Sequence, residues 1–255
     1  MNKPTITTES GRYFLTDRIR EEVSFRTTPQ SRGMRPPPVQ KPAPADSRII
    51  QLPHPAIWCI PPCDLQSAIA NRESHRQFTP EPLSLKELAF LLWATQGVRE
   101  EIHEAAVLRM VPSAGCRHPF ETYLAVQRVQ SLAHGIYRYL PLDNSIVIVR
   151  EVENLSAHLT AATHGQRFSG QSAVTFLWTA IPERTEWRYA EASYKVIALD
   201  AGHVCQNLYL ACEAVGAGTC AIAAYNQPLV DDLLGVDGDE EFCVYIAPVG
   251  KVVKR

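Results

Sequence analysis

The sequence predicts an α+β fold, and three observations carry that prediction. Apolar residues recur at helical spacing after Ser84 and again from about Glu191 to Val215. Two short runs of strand character, "GIYRYL" and "SIVIVR", flank the turn "PLDN" and read as a hairpin. Three further strand-like runs, "FETYLAVQR", "AVTFLWTAI" and "EFCVYIAPVG", are interleaved with the helices, so that helices and strands alternate irregularly.

The elements follow in order. Residues 1–63 form an extended, proline-rich N-terminal arm, because "RGMRPPPVQKPAPADSR" can be neither a helix nor a central strand. Such an arm is either a disordered leader or a strap that wraps a neighbouring subunit. "GRYFLTDRIREEVSF" has enough apolar residues to dock. Residues 64–255 form the folded domain. "DLQSAIANR" is a short helix that ends at a basic cluster. Ser84, with Glu87 three residues on, makes a capping box, and Leu85, Leu88, Leu91 and Leu92 give the helix that follows its apolar face. The long helix carries Leu199, Leu208, Leu210 and Ala211. "GAGTCAIAAY" is a glycine turn leading into a strand, and the last strand ends in the basic tail Lys251, Lys254 and Arg255.

Composition bounds the function. With 255 residues, 45% hydrophobic and 20% charged, the chain has the balance of an ordinary globular protein. A net charge of -2 gives no global basic field for nucleic acid. The apolar runs are too short to span a bilayer, and "MNKPTITTESGRYFLTDRIREE" lacks the apolar core of a secretory signal, so the expected location is the cytoplasm. The 7 cysteines lack zinc spacing and read as reduced, mostly buried thiols.

Four stretches offer chemistry. Arg72, Ser74 and Arg76 alternate, so an extended backbone points all three to one side, where guanidinium forks and a hydroxyl suit a phosphate. A solvated loop is the competing reading. Pro112, Ser113, Ala114 and Gly115 make a small-residue turn before a strand, which either lets backbone approach a flat ligand or is an ordinary loop. The small residues of "GAGTCAIAAYN" serve ligand access or helix–strand packing equally well. The C-terminal Lys251, Lys254 and Arg255 either meet the same anion or form a solvated tail.

Taken in series, "RESHRQFTPEPLSLKELAFLLWATQG", "VPSAGCRHPFETYLAV", "LDAGHVCQNLYLACEAVGAGTCAIAAYN" and "LLGVDGDEEFCVYIAPVGK" resemble the flavin-dependent nitroreductase family. The nearest likeness is to its SagB-type dehydrogenase branch, which includes the azoline oxidases of modified-peptide biosynthesis. The resemblance implies a central mixed, mainly antiparallel sheet flanked by helices. It also implies an intertwined homodimer with FMN at the subunit interface. Arg72, Ser74 and Arg76 match the phosphate and ribityl contacts, with Lys251 helping from the other end of the chain and Arg255 in uncertain register. Pro112, Ser113, Ala114 and Gly115 match the loop beside the isoalloxazine ring, usually supplied by the partner subunit. Ala223 and Ala224 match the strand whose backbone N–H groups reach flavin N5, where many members have glutamate-glycine. The catalytic lysine-tyrosine pair of the azoline oxidases corresponds to Arg188 and Tyr189. Arginine stays protonated and cannot act as a base, so Arg188 would bind an anionic substrate or steady a flavin anion, while Tyr189 either donates a proton or packs. His203 is expected to be a buried, hydrogen-bonded residue and Trp93 a core residue. Arg117 and His118 follow the small-residue loop and could reach the substrate side of the flavin.

The resemblance thus implies an FMN-dependent dehydrogenase acting on a peptide or a small natural-product intermediate. Two alternatives remain. One is an NAD(P)H-dependent nitro or quinone reductase, with the nicotinamide docking transiently. The other is a non-catalytic scaffold in a peptide-modifying complex, with the proline-rich arm meeting a partner protein.

Overall fold

The computed structural model describes residues 6–103 and 106–253. Its centre is a seven-stranded sheet in the order β1-β6-β5-β4-β7-β9-β8. The strands are β1 (Ile49–Gln51), β4 (Phe120–Val126), β5 (Gly135–Leu140), β6 (Ser145–Arg150), β7 (Val174–Ala180), β8 (Ala217–Thr219) and β9 (Phe242–Lys251). Every ladder between them is antiparallel. The parallel component is confined to isolated bridges, Ser74 to Thr219 and Leu83 to Val129. A separate hairpin, β2 (Val98–His103) and β3 (Ala106–Arg109), stands apart from this sheet.

Period-two alternation sorts the sheet into two apolar layers. On β7, Val174, Phe176 and Trp178 face one layer, which they share with Leu88, Leu91 and Leu92 of α4 (Leu85–Gln96) and with Val204 and Leu208 of α8 (Ser193–Ala214). Leu177 faces the other, with Leu155 and Leu159 of α5 (Leu155–Ala162), Phe168 of α6 (Arg167–Gln171) and Val230 of α9 (Gln227–Leu234). The capping box at Ser84 forms as the sequence predicts. The long helix spans 193–214, although Leu199 points outward from it at 54% exposure. The strand expected in "GAGTCAIAAY" is limited to β8, with one further bridge at Ile222. Trp93 packs edge-on to Trp58, as a core residue should.

The N-terminal segment folds onto its own chain. Two short helices, α1 (Thr8–Leu15) and α2 (Ile19–Glu22), precede a run without helix or strand over residues 28–48, and β1 then pairs with β6. That run is pinned from beneath. Arg138 donates to the carbonyls of Lys41 (2.7 Å) and Pro42 (2.6 Å), and Arg109 donates to that of Val39 (2.8 Å). The Lys41 N–H donates to Glu121 at 2.9 Å. Glu121, fully enclosed on β4, also accepts from Arg138 (3.1 Å) and Arg184 (2.5 Å). Burial alone would raise its pKa, but the two guanidiniums outweigh that and hold it below the usual carboxylate range. Arg184 lies on α7 (Glu183–Tyr189), which together with the short α3 (Leu65–Asn71) completes the helices used below.

Candidate functional site

The basic cluster lies on the edge of the sheet. After α3 ends, residues 72–79 run extended across β8 and β9. His75 N–H donates to the Thr219 carbonyl (2.9 Å), and Thr79 N–H to that of Lys251 (2.8 Å). Two glycines make this contact available. Gly218 and Gly250 are partners in the β8–β9 ladder. A Cβ on Gly218 would come within 2.4 Å of the His75 ring, and one on Gly250 within 2.8 Å of Phe78 Cβ. His75 therefore packs down onto the strands, while Arg72 and Ser74 meet elsewhere, at Tyr209 of α8. The Arg72 guanidinium is 5.5 Å from the Tyr209 ring centroid, and Ser74 Oγ is 3.2 Å from the Tyr209 hydroxyl. Arg76 lines an adjoining cleft of about 620 Å³ with Ser74, Thr79 and Val252. Of the three residues expected on one side, Arg72 and Ser74 meet at Tyr209, and Arg76 stands at the cleft instead.

Tyr209 links this cluster to the strand edge, since its oxygen accepts from the Ala221 N–H at 2.8 Å. Just beyond, Ala223 and Ala224 are exposed, and their backbone N–H groups have no partner among the described residues. Ala223 borders an apolar groove of about 390 Å³ with Tyr194, Ile197 and Ala201 of α8 and Tyr245 of β9. Lys251 lies beside the cleft, but its ammonium is committed to Glu87 (2.5 Å) and the Val215 carbonyl (2.7 Å). Direct phosphate contact would require it to leave both. Lys254 and Arg255 lie outside the described residues.

A second cluster gathers at the other half of α8. Asp200, buried on that helix, accepts from the Ser113 hydroxyl (2.6 Å) and the Ala114 N–H (3.2 Å), which fixes the turn Pro112–Gly115. Desolvation raises the pKa of Asp200 despite these bonds. Gly115 adopts φ 59°, and a Cβ there would be 2.7 Å from Arg188 Cδ and 2.8 Å from the Tyr189 hydroxyl. The turn and the Arg188–Tyr189 pair are therefore in contact. The Tyr189 hydroxyl has no hydrogen-bond partner among the described residues. Behind the turn, His118 N–H donates to Ser113 Oγ (2.9 Å). Burial, then the nearby Arg109, pushes the His118 imidazole down to about 3, so it is neutral. Arg117 is buried, with its guanidinium 4.9 Å from the Trp187 ring centroid. His203 departs from expectation. Its side chain is 50% exposed and its Nδ1 is 3.8 Å from Asp200, because that turn of α8 faces outward.

Asp200 and Tyr209, which anchor the two clusters, are separated by about 14 Å along α8 at 1.5 Å per residue. The pocket at Arg188 and Tyr189 shares no lining residue with the cleft at Arg76 or the groove at Ala223.

Residues 69–251 match the Nitroreductase family. The chain belongs to that family. It is accordingly an oxidoreductase. MJ1384 of Methanocaldococcus jannaschii, which carries a nitroreductase designation, is 30% identical over 209 residues, 82% of this chain and 99% of its own. The trifolitoxin-processing protein TfxB of Rhizobium leguminosarum bv. trifolii is 27% identical over 62% of this chain and 44% of its own length. Among solved structures, a Ralstonia eutropha protein with a nitroreductase designation superposes with TM-score 0.67 at 24% identity, over 88% of this chain and 97% of that one. A chain of the Escherichia coli microcin synthetase McbBCD complex gives TM-score 0.60 at 17% identity, over 98% and 99%. An FMN complex from Exiguobacterium sibiricum gives 0.55 at 16%, over 76% and 90%. These structures share the fold. Among the described residues no helix is long and apolar enough to cross a membrane, and no group of His, Cys, Asp or Glu is arranged to hold a metal ion.

Proposed function

We propose that the protein is an FMN-dependent dehydrogenase of the SagB type, acting on a peptide or a small natural-product intermediate as a cytoplasmic homodimer. The observation that carries this reading is the seating of the basic segment. The paired glycines of β8 and β9 let residues 72–79 lie flat on the strands, and Tyr209 gathers Arg72 and Ser74 beside the unpartnered N–H groups of Ala223 and Ala224. Arg72, Ser74 and Arg76 would hold the phosphate and ribityl chain, and the two backbone donors would meet the ring. Bound FMN would supply two-electron redox chemistry, accepting a hydride from one substrate and passing the electrons on. The chain's own groups would orient the ring, and the Tyr189 hydroxyl, with no other partner among the described residues, would relay the proton leaving the substrate to water. The separation of the two clusters favours a dimer, in which the turn at Pro112–Gly115 of one subunit completes the flavin site of the other. The FMN-bound neighbour and the trifolitoxin-processing and microcin synthetase relatives agree with this reading.

A reductase driven by NAD(P)H is the second reading, and Arg188 favours it. An arginine stays protonated, so the base that would remove a substrate proton beside Tyr189 is missing. The nitroreductase designation of MJ1384 points the same way.

The visible spectrum of the purified protein is the primary test. Flavin bands, with FMN released on denaturation, are expected. A colourless protein that also fails to take up added FMN would overturn both readings and leave the scaffold role. Arg72→Ala should weaken FMN binding at least about tenfold, since it leaves a phosphate charge unpaired. Unchanged flavin occupancy after gel filtration would remove Arg72 from the site. Anaerobic bleaching of the flavin by NADPH separates the readings, because only the reductase should bleach rapidly.

A further inference from the structure

The N-terminal segment forms an open pocket at the surface. Between α2 and Met34 it lies along the end of α7 and, with Arg188 and Tyr189, borders a space of about 270 Å³ lined also by Arg20, Phe25, Gln30 and Ser31. The walls are fastened together. Gln30 N–H donates to the Trp187 carbonyl (2.9 Å), and the Trp187 indole N–H donates to that of Met34 (3.0 Å). Arg188 Nη1 donates to the Gln30 amide oxygen at 3.3 Å. The floor is continuous with the small-residue turn, since Gly115 lies against both Arg188 and Tyr189.

The charges in this pocket are unequally answered. Arg20 is paired with Asp17 at 2.9 Å, and its guanidinium lies 5.6 Å from the Phe25 ring centroid. Arg188 has only neutral partners among the described residues, the Gln30 amide and the Tyr189 ring at 5.6 Å. No carboxylate among them pairs with it. Arg117 lies close enough that, after burial, the Arg188 charge is the next cause of its lowered pKa. The Arg188 guanidinium is exposed, held only by a neutral amide, and faces an open polar space without a carboxylate partner among the described residues, so it is free to take an anion from solution. Its planar fork matches a carboxylate. The volume is just under the range of about 300–1,000 Å³ for whole small-molecule sites, so it suits one end of a ligand.

We infer that this pocket receives a carboxylate of the substrate, with Arg188 as its charge partner, Gln30 as the group that aims Arg188, and residues 18–34 as the specificity element. The flavin reading is needed only to call the ligand a substrate. The carboxylate recognition stands on the pocket. A small organic acid and the C-terminal carboxylate of a peptide share this chemistry.

The test is calorimetric titration of the full chain, with and without FMN, using benzoate against benzamide and N-acetyl-alanyl-alanine against its C-terminal amide. At least one acid should bind tenfold or more tightly than its amide. Preference shown by benzoate alone assigns a small acid, and a stronger preference for the peptide acid assigns a C-terminus. Arg188→Gln should bring the ratio to about one, and Gln30→Ala, which leaves the guanidinium in place, should lower it several-fold. Equal binding of acids and amides, no binding of either, or a preference that survives both substitutions would overturn the inference. FMN uptake is measured on the same samples. Acid preference without flavin uptake removes the proposed function and keeps the pocket. Flavin uptake without acid preference does the reverse.

Discussion

Gly115 shows how little room the centre of the site leaves. Its φ of 59° suits glycine, and any Cβ would meet Arg188 and the Tyr189 hydroxyl at under 3 Å. Gly115→Ala should cost about 1–3 kcal/mol of stability, from the backbone conformation and the contact together. It should lower turnover further still, because relief comes by displacing Tyr189. Thermal unfolding and steady-state rates on the same preparation check this, and an unchanged rate would detach Tyr189 from the chemistry. Tyr209 offers the complementary case. Tyr209→Phe keeps the ring beneath Arg72 but removes the hydroxyl shared by Ser74 and the Ala221 N–H, at a cost of about 1 kcal/mol. FMN affinity should fall several-fold with the fold intact, and equal affinity would make Tyr209 packing only. Alternation is a backbone property, which made the meeting of Arg72 and Ser74 legible in the sequence, while Arg76 lies apart from them at the cleft. Tyr209 carried no such signal, since an aromatic residue between Cys205 and Cys212 on a helix reads as core. Asp200 was the more readable omission, as a carboxylate at helical spacing with Ile197, Ala201 and Val204 sits on a buried face and needs partners.

At the scale of elements, legibility followed periodicity. The helix after Ser84, the hairpin β5–β6 and the buried strands β4 and β7 all had a clean apolar pattern, and all form. The hairpin β2–β3 had none, since five of the six positions of "VREEIH" are exposed. Composition marked the proline-rich stretch as non-helical, but could not show that it docks. Its docking depends on carbonyls of residues 39–42 accepting from arginines far along the chain, which no local pattern announces. Arg138→Ala should therefore act on this segment first. It unpairs two arm carbonyls and leaves Glu121 with one guanidinium fewer. Removing one partner of a buried charge pair costs about 3–5 kcal/mol. Limited proteolysis should show new cleavage within residues 35–48 before the domain unfolds. Cleavage that appears only together with global unfolding would show that the arm and the sheet form one cooperative unit.

For the molecule as a whole, buried ionisable groups set how stability depends on pH. The unfolded chain would protonate His118 as pH falls through about 6.5, whereas the folded chain holds it neutral down to about 3. Between those values the unfolded state binds the extra proton. The contribution of His118 is therefore complete above about pH 6.5 and is lost as pH falls toward 3, by at most about 1.4 kcal/mol per unit. Glu121 is also depressed, so its contribution is present above the ordinary carboxylate range and is lost below it. Asp200 has the opposite sign. Its raised pKa disfavours the folded state when ionised, and that penalty fades as pH falls through the folded value. Glu121 acts toward the acid end, and Asp200 opposes the imidazole as it takes up its proton, so the imidazole's own part is isolated by replacing it. His118→Gln removes the titrating group while keeping a polar side chain beside the Ser113 turn. Denaturant unfolding at several pH values below about 6.5 should give a variant curve that falls less toward acid than the wild-type curve. Parallel curves would show that His118 protonates normally in the folded protein, and that the wall behind the Ser113 turn is open to water.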